Sequence, residues 1–195
     1  MPARRYPFPV APSTAQRERL LQIYAQRVYA YVDVDPGFAR RWRSWCRTLL
    51  SHGGSIVVPP GVPEPDLEDL VAGASTFGPE SRVVEGDGNS CHRNVAVLWI
   101  DGEVPSVGTG YALSEDGLWR QHSWGLDADG AVVETTSARS AYVGIALPPR
   151  APTMQFVGSN AGDHLREVLV QRGPRAQELV GMIRELAGMA KTRSA

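Results

Sequence analysis

The sequence predicts an α+β domain, a central run of short strands with helical segments before and after it. Three observations predict it. Apolar residues recur at helical spacing near both ends of the chain, short strand-like stretches cluster in the middle, and the two kinds of element are grouped rather than alternating. A length of 195 residues with 43% hydrophobic content suits one domain with a buried core. Its expected parts are an N-terminal helical region over 1–80, an α+β core over 81–150 and C-terminal helices over 151–195.

From Thr14 to about Tyr31, the residues Leu20, Leu21, Tyr24, Val28 and Tyr31 follow a helical period, and Ser13 or Thr14 is a suitable N-cap. Pro36 can open a second helix that carries Phe38, Trp42, Trp45, Cys46 and Leu49 on one face and stops near His52, Gly53 and Gly54. Residues 59–65 form a proline-rich connector, and 66–74 fit a short helix. No pattern in this first third points to chemistry. Residues 91–100 read as helix, followed by strands over about 104–114, 117–127 and 131–137 and a fourth over 142–147. The tail returns to helix, first around Leu165, Val168 and Leu169. After Gly173 and Pro174, a stripe of Leu179, Met182, Ile183, Leu186 and Met189 follows.

Composition excludes several classes of function. Twenty basic against 21 acidic residues leave a net charge of −1, which gives neither nucleic acid nor an anionic membrane a broad basic surface to bind. Two cysteines make neither a disulfide framework nor a four-thiolate zinc site. Lys191 is the only lysine among those 20 basic residues, a skew that GC-rich codon usage accounts for. Arg4 and Arg5 are followed by a short apolar stretch broken by Pro7, Pro9 and Pro12, so no signal-peptide core is expected. Nor is there a run of about 20 apolar residues. The expected compartment is the cytoplasm, with Cys46 and Cys91 as reduced thiols.

Chemistry concentrates around Cys91. It follows the turn-forming residues Glu85, Gly86, Asp87, Gly88, Asn89 and Ser90 and precedes the helical run from Asn94 to Trp99, with Ser90 or Asn89 as N-cap. In a first helical turn, unpaired backbone N–H groups and the helix dipole favour a thiolate and can receive an oxyanion. The alternative is a small buried hydrophobe, the usual fate of a free cysteine. His122 lies in a strand whose even-numbered residues, Leu118, Trp124 and Leu126 among them, share its face. Arg120 has the same parity and therefore needs an edge position or a partner. A histidine on an apolar face is often a hydrogen-bonded core residue, so His122 gains meaning from its neighbours.

Glu134 is the carboxylate that links to it. If Ala128, Asp129 and Gly130 form a three-residue hairpin loop with Gly130 left-handed, cross-strand partners have numbers summing to 258. His122 and Glu134 then become same-face diagonal neighbours, about 7–8 Å apart at the backbone. A two- or four-residue loop would put them on opposite faces. The alternative for Glu134 is a solvated residue on an edge strand. Cys91, His122 and Glu134 together make a thiol nucleophile, an imidazole base and an orienting carboxylate.

The order Cys91 at a helix start, Gly110-Tyr111, His122-Ser123-Trp124 and Val133-Glu134-Thr135-Thr136 resembles the transglutaminase-like group of papain-like cysteine enzymes. That group has a helix-starting Cys, a Gly-Tyr strand, a His-x-Trp strand and an Asp-x-Thr strand. The stretch 91–147, with Cys91-His92-Arg93-Asn94 and Tyr142-Val143-Gly144-Ile145, is also similar to poorly characterised bacterial and phage proteins of that type. The resemblance implies a cysteine helix on an antiparallel sheet and acyl-enzyme chemistry on an amide or ester. Glu134 stands where the family has aspartate. No upstream Trp or Gln supplies a second oxyanion donor, a role Asn89 could take.

Around these three, Asn94 shares the face of Cys91 and is placed either to bind a substrate amide or to cap a buried polar contact. Trp124 is expected as a wall beside the imidazole. His92 points about 100° away from Cys91 on a helix, which favours packing or hydrogen bonding over base chemistry. Trp99 and Trp119 are read as core or cleft lining, and Tyr111 as structural. Cys91, His92, His122 and His164 lack metal-site spacing, and Gly86 and Gly88 are not followed by the residues of a phosphate loop, so no metal or cofactor is expected. Arg40, Arg41, Arg43 and Arg47 read as a solvated helix face. The expected function is cysteine-dependent acyl transfer: hydrolysis, deamidation or transamidation of a peptide, protein side chain or small molecule. The alternative is a binding or scaffold protein that keeps the fold without turnover. Oligomeric state is not readable from these residues.

Overall fold

The computed structural model describes residues 11–78 and 80–193. Residues 1–10, with Arg4 and Arg5, and the side chains of Met189 and Lys191 lie outside what it describes. The elements in chain order are α1 (Thr14–Ala30), α2 (Phe38–Ser51), β1 (Ile56–Val57), α3 (Leu67–Gly73), β2 (Ser75–Phe77), β3 (Glu80–Val83), α4 (Cys91–Asp101), β4 (Ser106–Leu113), β5 (Leu118–Leu126), β6 (Val132–Glu134), β7 (Ala141–Ala146), α5 (Ala151–Gln171) and α6 (Pro174–Arg193). The class is α+β. Among the described residues no helix is long and apolar enough to cross a membrane. Contacts divide the chain into two compact units. The first takes the chain through β2 together with residues 110–121 and 139–145; the second takes 80–109, 122–138 and the chain from 146 onward.

In the first unit, Ser13 starts α1 through a capping box. Its Oγ accepts from Gln16 N–H, and Gln16 Oε1 accepts from Ser13 N–H at 2.9 Å. The stripe of α1 is only half-buried, and Leu21 is exposed. The second helix begins two residues past Pro36, and its spacing of four, three and four places Phe38, Trp42, Trp45 and Leu49 on one buried face. They join Leu67, Leu70, Tyr111, Trp119 and Val143 in one core. Trp45 meets the Tyr111 ring edge-on at 5.8 Å. Each such side chain removed from water stabilises the fold by roughly 1.5–3 kcal/mol. Arg120 has the partner its parity requires, with Nη2 2.6 Å from Asp116 Oδ2.

The sheet expected to be antiparallel is mixed. In the first unit β1 runs parallel to β5, Ile56 opposite Leu118, while β2 is antiparallel to β7. In the second, β3 runs parallel to β6, with Val83 opposite Glu134. These added strands are two to four residues long, too short for alternation to register, and they pair with residues distant in the chain.

The first third also holds a chemical feature that its sequence does not announce. Glu64, in the proline-rich connector, is 6% exposed. Its Oε2 accepts from Tyr111 Oη–H at 3.1 Å and from Gln121 Nε2–H at 2.9 Å. Burial, with Asp66 nearby, pushes this carboxyl up to about 7 against the pull of those two donors.

In the second unit the strand order is β4-β5-β6-β3, and α4 packs chiefly against α5. Val95, Ala96, Leu98, Trp99 and Ile100 of α4 are buried, which makes it a helix enclosed on most sides. The fifth helix carries Leu165, Val168 and Leu169 in its second half, while Met154, Val157 and Ala161 are buried in its first. Gly158 and Gly162 weaken the helical signal there. Its backbone kinks at Ala161, where φ is −144° and ψ 39°. Along α6, Leu179 is buried, Met182 and Leu186 are half-buried and Ile183 is exposed, so the buried stripe is narrower than the one expected.

Candidate active site

Cys91 is the first residue of α4, following the turn through Asn89, whose φ is +60°. Ser90 occupies the N-cap position but its side chain does not cap the helix; the hydroxyl donates to Gly88 O instead. The backbone N–H groups of the first turn therefore lack the partner a capping hydroxyl would supply, and they point outward at the start of the helix where the thiol lies.

The second member is placed by a hairpin. Gly125 pairs with Val133 and Leu126 with Val132, the register that the loop of Ala128, Asp129 and Gly130 predicts. Gly130 has φ +79°, and Asp127 N–H donates to Ala131 O at 3.0 Å. This register brings His122 and Glu134 together on one face, with Nε2 and Oε2 2.8 Å apart. His122 is 3% exposed and Glu134 0%.

A carboxylate so deeply placed needs partners for both oxygens. Oε1 accepts from Thr135 N–H, Thr136 N–H and Thr136 Oγ1–H, each at 2.8 Å. Oε2 is left for His122. The Glu134 side chain is thereby held by its own strand end with Oε2 turned to His122.

The other ring nitrogen of His122, Nδ1, is left for the Cys91 thiol, with which the ring shares a hydrogen bond. Burial pushes the thiol up. The hydrogen bond and charge of His122, with the Ser123 backbone N–H, hold it below its ordinary value against both burial and the Glu134 charge. Burial likewise pushes the His122 imidazole down, and the hydrogen bonds and charges of Cys91 and Glu134 outweigh it, raising the ring to about 9. Both displacements favour the same microstate, a thiolate beside an imidazolium.

Trp124 stacks near the imidazole, centroids 6.3 Å apart and planes 28° apart. Asn94 Oδ1 accepts from Asp87 N–H at 3.2 Å, and its Nδ2 donates to Asp87 O at 2.8 Å and Thr135 O at 3.3 Å. It ties the turn before Cys91 to the residue after Glu134. Asn89 is exposed beside the start of α4. His164, read only as a possible metal ligand, instead bonds Asp101 at 2.8 Å. Among the described residues, no three His, Cys, Asp or Glu side chains gather as a metal-binding group. Motif reasoning passes over Thr109, which takes the Ser123 hydroxyl proton, and it quotes Thr135 and Thr136 without assigning them their role as donors to Glu134. A Thr-Thr pair after an acid is the only sequence signal they give, because such hydroxyls and amides serve a carboxylate without a distinctive spacing.

The arrangement is suited to nucleophilic attack by sulfur, with a base on one side and first-turn N–H groups on the other. Comparison with family models, with curated proteins and with solved structures finds no match to this chain.

Proposed function

We propose that this protein is a cysteine-dependent acyl-transfer enzyme acting on an amide or ester. The Cys91 thiolate attacks the substrate carbonyl carbon, and the resulting oxyanion accepts from the Cys91 backbone N–H and from Asn89. The His122 imidazolium gives its proton to the leaving amine or alcohol, and a thioester on Cys91 remains. Water or an amine then attacks the thioester carbonyl while His122 takes the proton of the incoming nucleophile, and the thiolate leaves. Glu134 orients the imidazole and stabilises its cation. The observation that carries this reading is the unbroken hydrogen-bonded chain from Cys91 through His122 to a fully buried Glu134.

The order of helix-starting cysteine, histidine strand and acid strand also supports a transglutaminase-like core, with glutamate in the aspartate position. A reducing compartment such as the cytoplasm suits a protein whose two cysteines are both free.

A p-nitrophenyl ester burst assay tests the reading. One equivalent of nitrophenolate should be released rapidly per chain, with the acyl group found on Cys91 by mass spectrometry, and Cys91→Ala and His122→Ala should abolish both. Adding an amine would then separate hydrolysis from transfer. Absence of the burst from a folded protein across a panel of acyl esters, or acylation elsewhere, would refute the enzyme and favour a binding protein that keeps the fold.

A further inference from the structure

Cys91 and His122 sit on different elements, α4 and β5, and no covalent link sets the gap between them. The next residue on each element makes a second contact. His92 Nδ1 lies 2.7 Å from Ser123 Oγ. Ser123 Oγ in turn donates to Thr109 Oγ1 on β4 at 3.2 Å, so its proton is committed and it accepts from His92 Nδ1–H. The backbone N–H of the same Ser123 donates to the Cys91 sulfur. Behind the His92 ring stands Phe156 of α5, edge-on at 6.2 Å.

We infer that His92 is a positioning residue: its hydrogen bond to Ser123 locks α4 to β5 one residue beyond the Cys91–His122 pair and so sets the sulfur–imidazole distance. The inference rests on reading Cys91 and His122 as the acid–base pair. Two contacts between consecutive residues fix separation and rotation together, whereas one contact acts as a hinge. A productive site must hold its groups within about 0.5 Å, which a single hydrogen bond from a half-buried thiol does not guarantee. Ser123 joins both contacts, since its hydroxyl takes the His92 proton and its N–H meets the sulfur.

The chemistry of His92 fits this role and not that of a second base. Burial and the nearby His122 charge pull its ring down to about 4, so between there and about 9, where His122 is a cation, His92 is neutral. It donates a hydrogen bond without adding a second positive charge beside the imidazolium. Lysine or arginine at this position would donate equally well but would repel that cation.

The test measures the pH midpoint of Cys91 alkylation by iodoacetamide, with thermal melting as the folding control. His92→Phe keeps the ring volume and loses the donor. Ser123→Ala loses the hydroxyl and keeps the backbone N–H. His92→Asn places an amide N–H near the lost Nδ1–H. Both His92→Phe and Ser123→Ala should raise the midpoint by about one pH unit, equivalent to an about tenfold loss of thiolate at pH below it. His92→Asn should restore it, and the His92→Phe/Ser123→Ala double variant should be no worse than either single one. Folded variants with the wild-type midpoint would overturn the inference. If His92→Phe does not fold, Ser123→Ala decides alone. His122→Ala separates this inference from the reading beneath it. If it moves the midpoint while His92→Phe and Ser123→Ala do not, only the positioning role falls; if it too leaves the midpoint unmoved, the pair itself is absent and both fall.

Discussion

Replacing Glu134 by Gln removes one charge from a site in which both carboxylate oxygens are occupied, and the outcome can be worked from its four hydrogen bonds. An amide has one acceptor oxygen and one NH2 group. With the oxygen facing Thr135 N–H, Thr136 N–H and Thr136 Oγ1–H, three donors stay satisfied and the NH2 faces His122 Nε2. Turned the other way, the NH2 confronts those three donors, each of which costs about 1–3 kcal/mol when left unmet. The first orientation therefore wins. It obliges Nε2 to accept, which puts the ring proton of neutral His122 on Nδ1, facing the thiol that the ring should deprotonate.

A hydrogen bond to a charged partner contributes about 1.5–3 kcal/mol, equivalent to roughly one to two pH units at 1.36 kcal/mol each. The His122 ring should fall from about 9 by that amount. Iodoacetamide alkylation of Cys91, followed from acid to alkaline pH, should show the thiolate–imidazolium plateau narrowing. The alkaline end of that plateau should move down by about one to two pH units. A folded Glu134→Gln protein with the wild-type profile would refute the reasoning, since Glu134 would then not support the imidazolium.

Four further outcomes are expected. Because the Glu64 carboxyl is displaced from 4.5 to about 7, the folded state binds more protons than the unfolded one between those values, and stability falls as pH rises through that window by on the order of 3 kcal/mol. Glu64→Gln keeps an acceptor for Tyr111 and Gln121, so denaturant melts should show it flattening that slope and exceeding wild type at pH 8. Gly108→Ala would drive a Cβ into the Trp124 indole; a loss of about 1–3 kcal/mol and a changed near-ultraviolet dichroism spectrum are expected. Asn94→Ala should cost about 1 kcal/mol for its lost hydrogen bonds and slow Cys91 alkylation, since the turn before Cys91 loses its tie to Thr135. Burial pushes the Cys46 thiol up to about 12, so peptide mapping of native protein treated at pH 8 should find label on Cys91 and none on Cys46.

Much of the local order is legible in the chain. The spacing of Phe38, Trp42, Trp45 and Leu49 marks a buried helix face by itself, and the Ala128-Asp129-Gly130 loop determines which residues of the hairpin share a face, because strand periodicity is two. That is why loop length and residue parity alone pair His122 with Glu134. What stays hidden depends on contacts between residues far apart in sequence. Glu64 sits among prolines with nothing nearby to mark it as buried, and it is enclosed by Tyr111 and Gln121, 47 and 57 residues away. The strands β1 and β3 exist only because distant partners offer them an edge. Helical period places Asn94 on the face of Cys91, but its ties to Asp87 and Thr135 depend on how three separate segments meet around its amide. The link from His92 to Ser123 joins elements whose docking angle no local pattern encodes.

The most direct measurement is the titration of the Cys91 thiolate by its ultraviolet absorbance in wild type and in His122→Ala. Cys46, held up near 12, contributes nothing over the working range, so a single thiolate is read. Wild type should gain one thiolate per chain below the ordinary thiol value of about 8.5. Removing the imidazole should push that transition above the ordinary value, because burial then acts on the thiol with little opposition. A wild-type thiol that titrates at or above about 8.5, or one that His122→Ala leaves unmoved, would contradict the account.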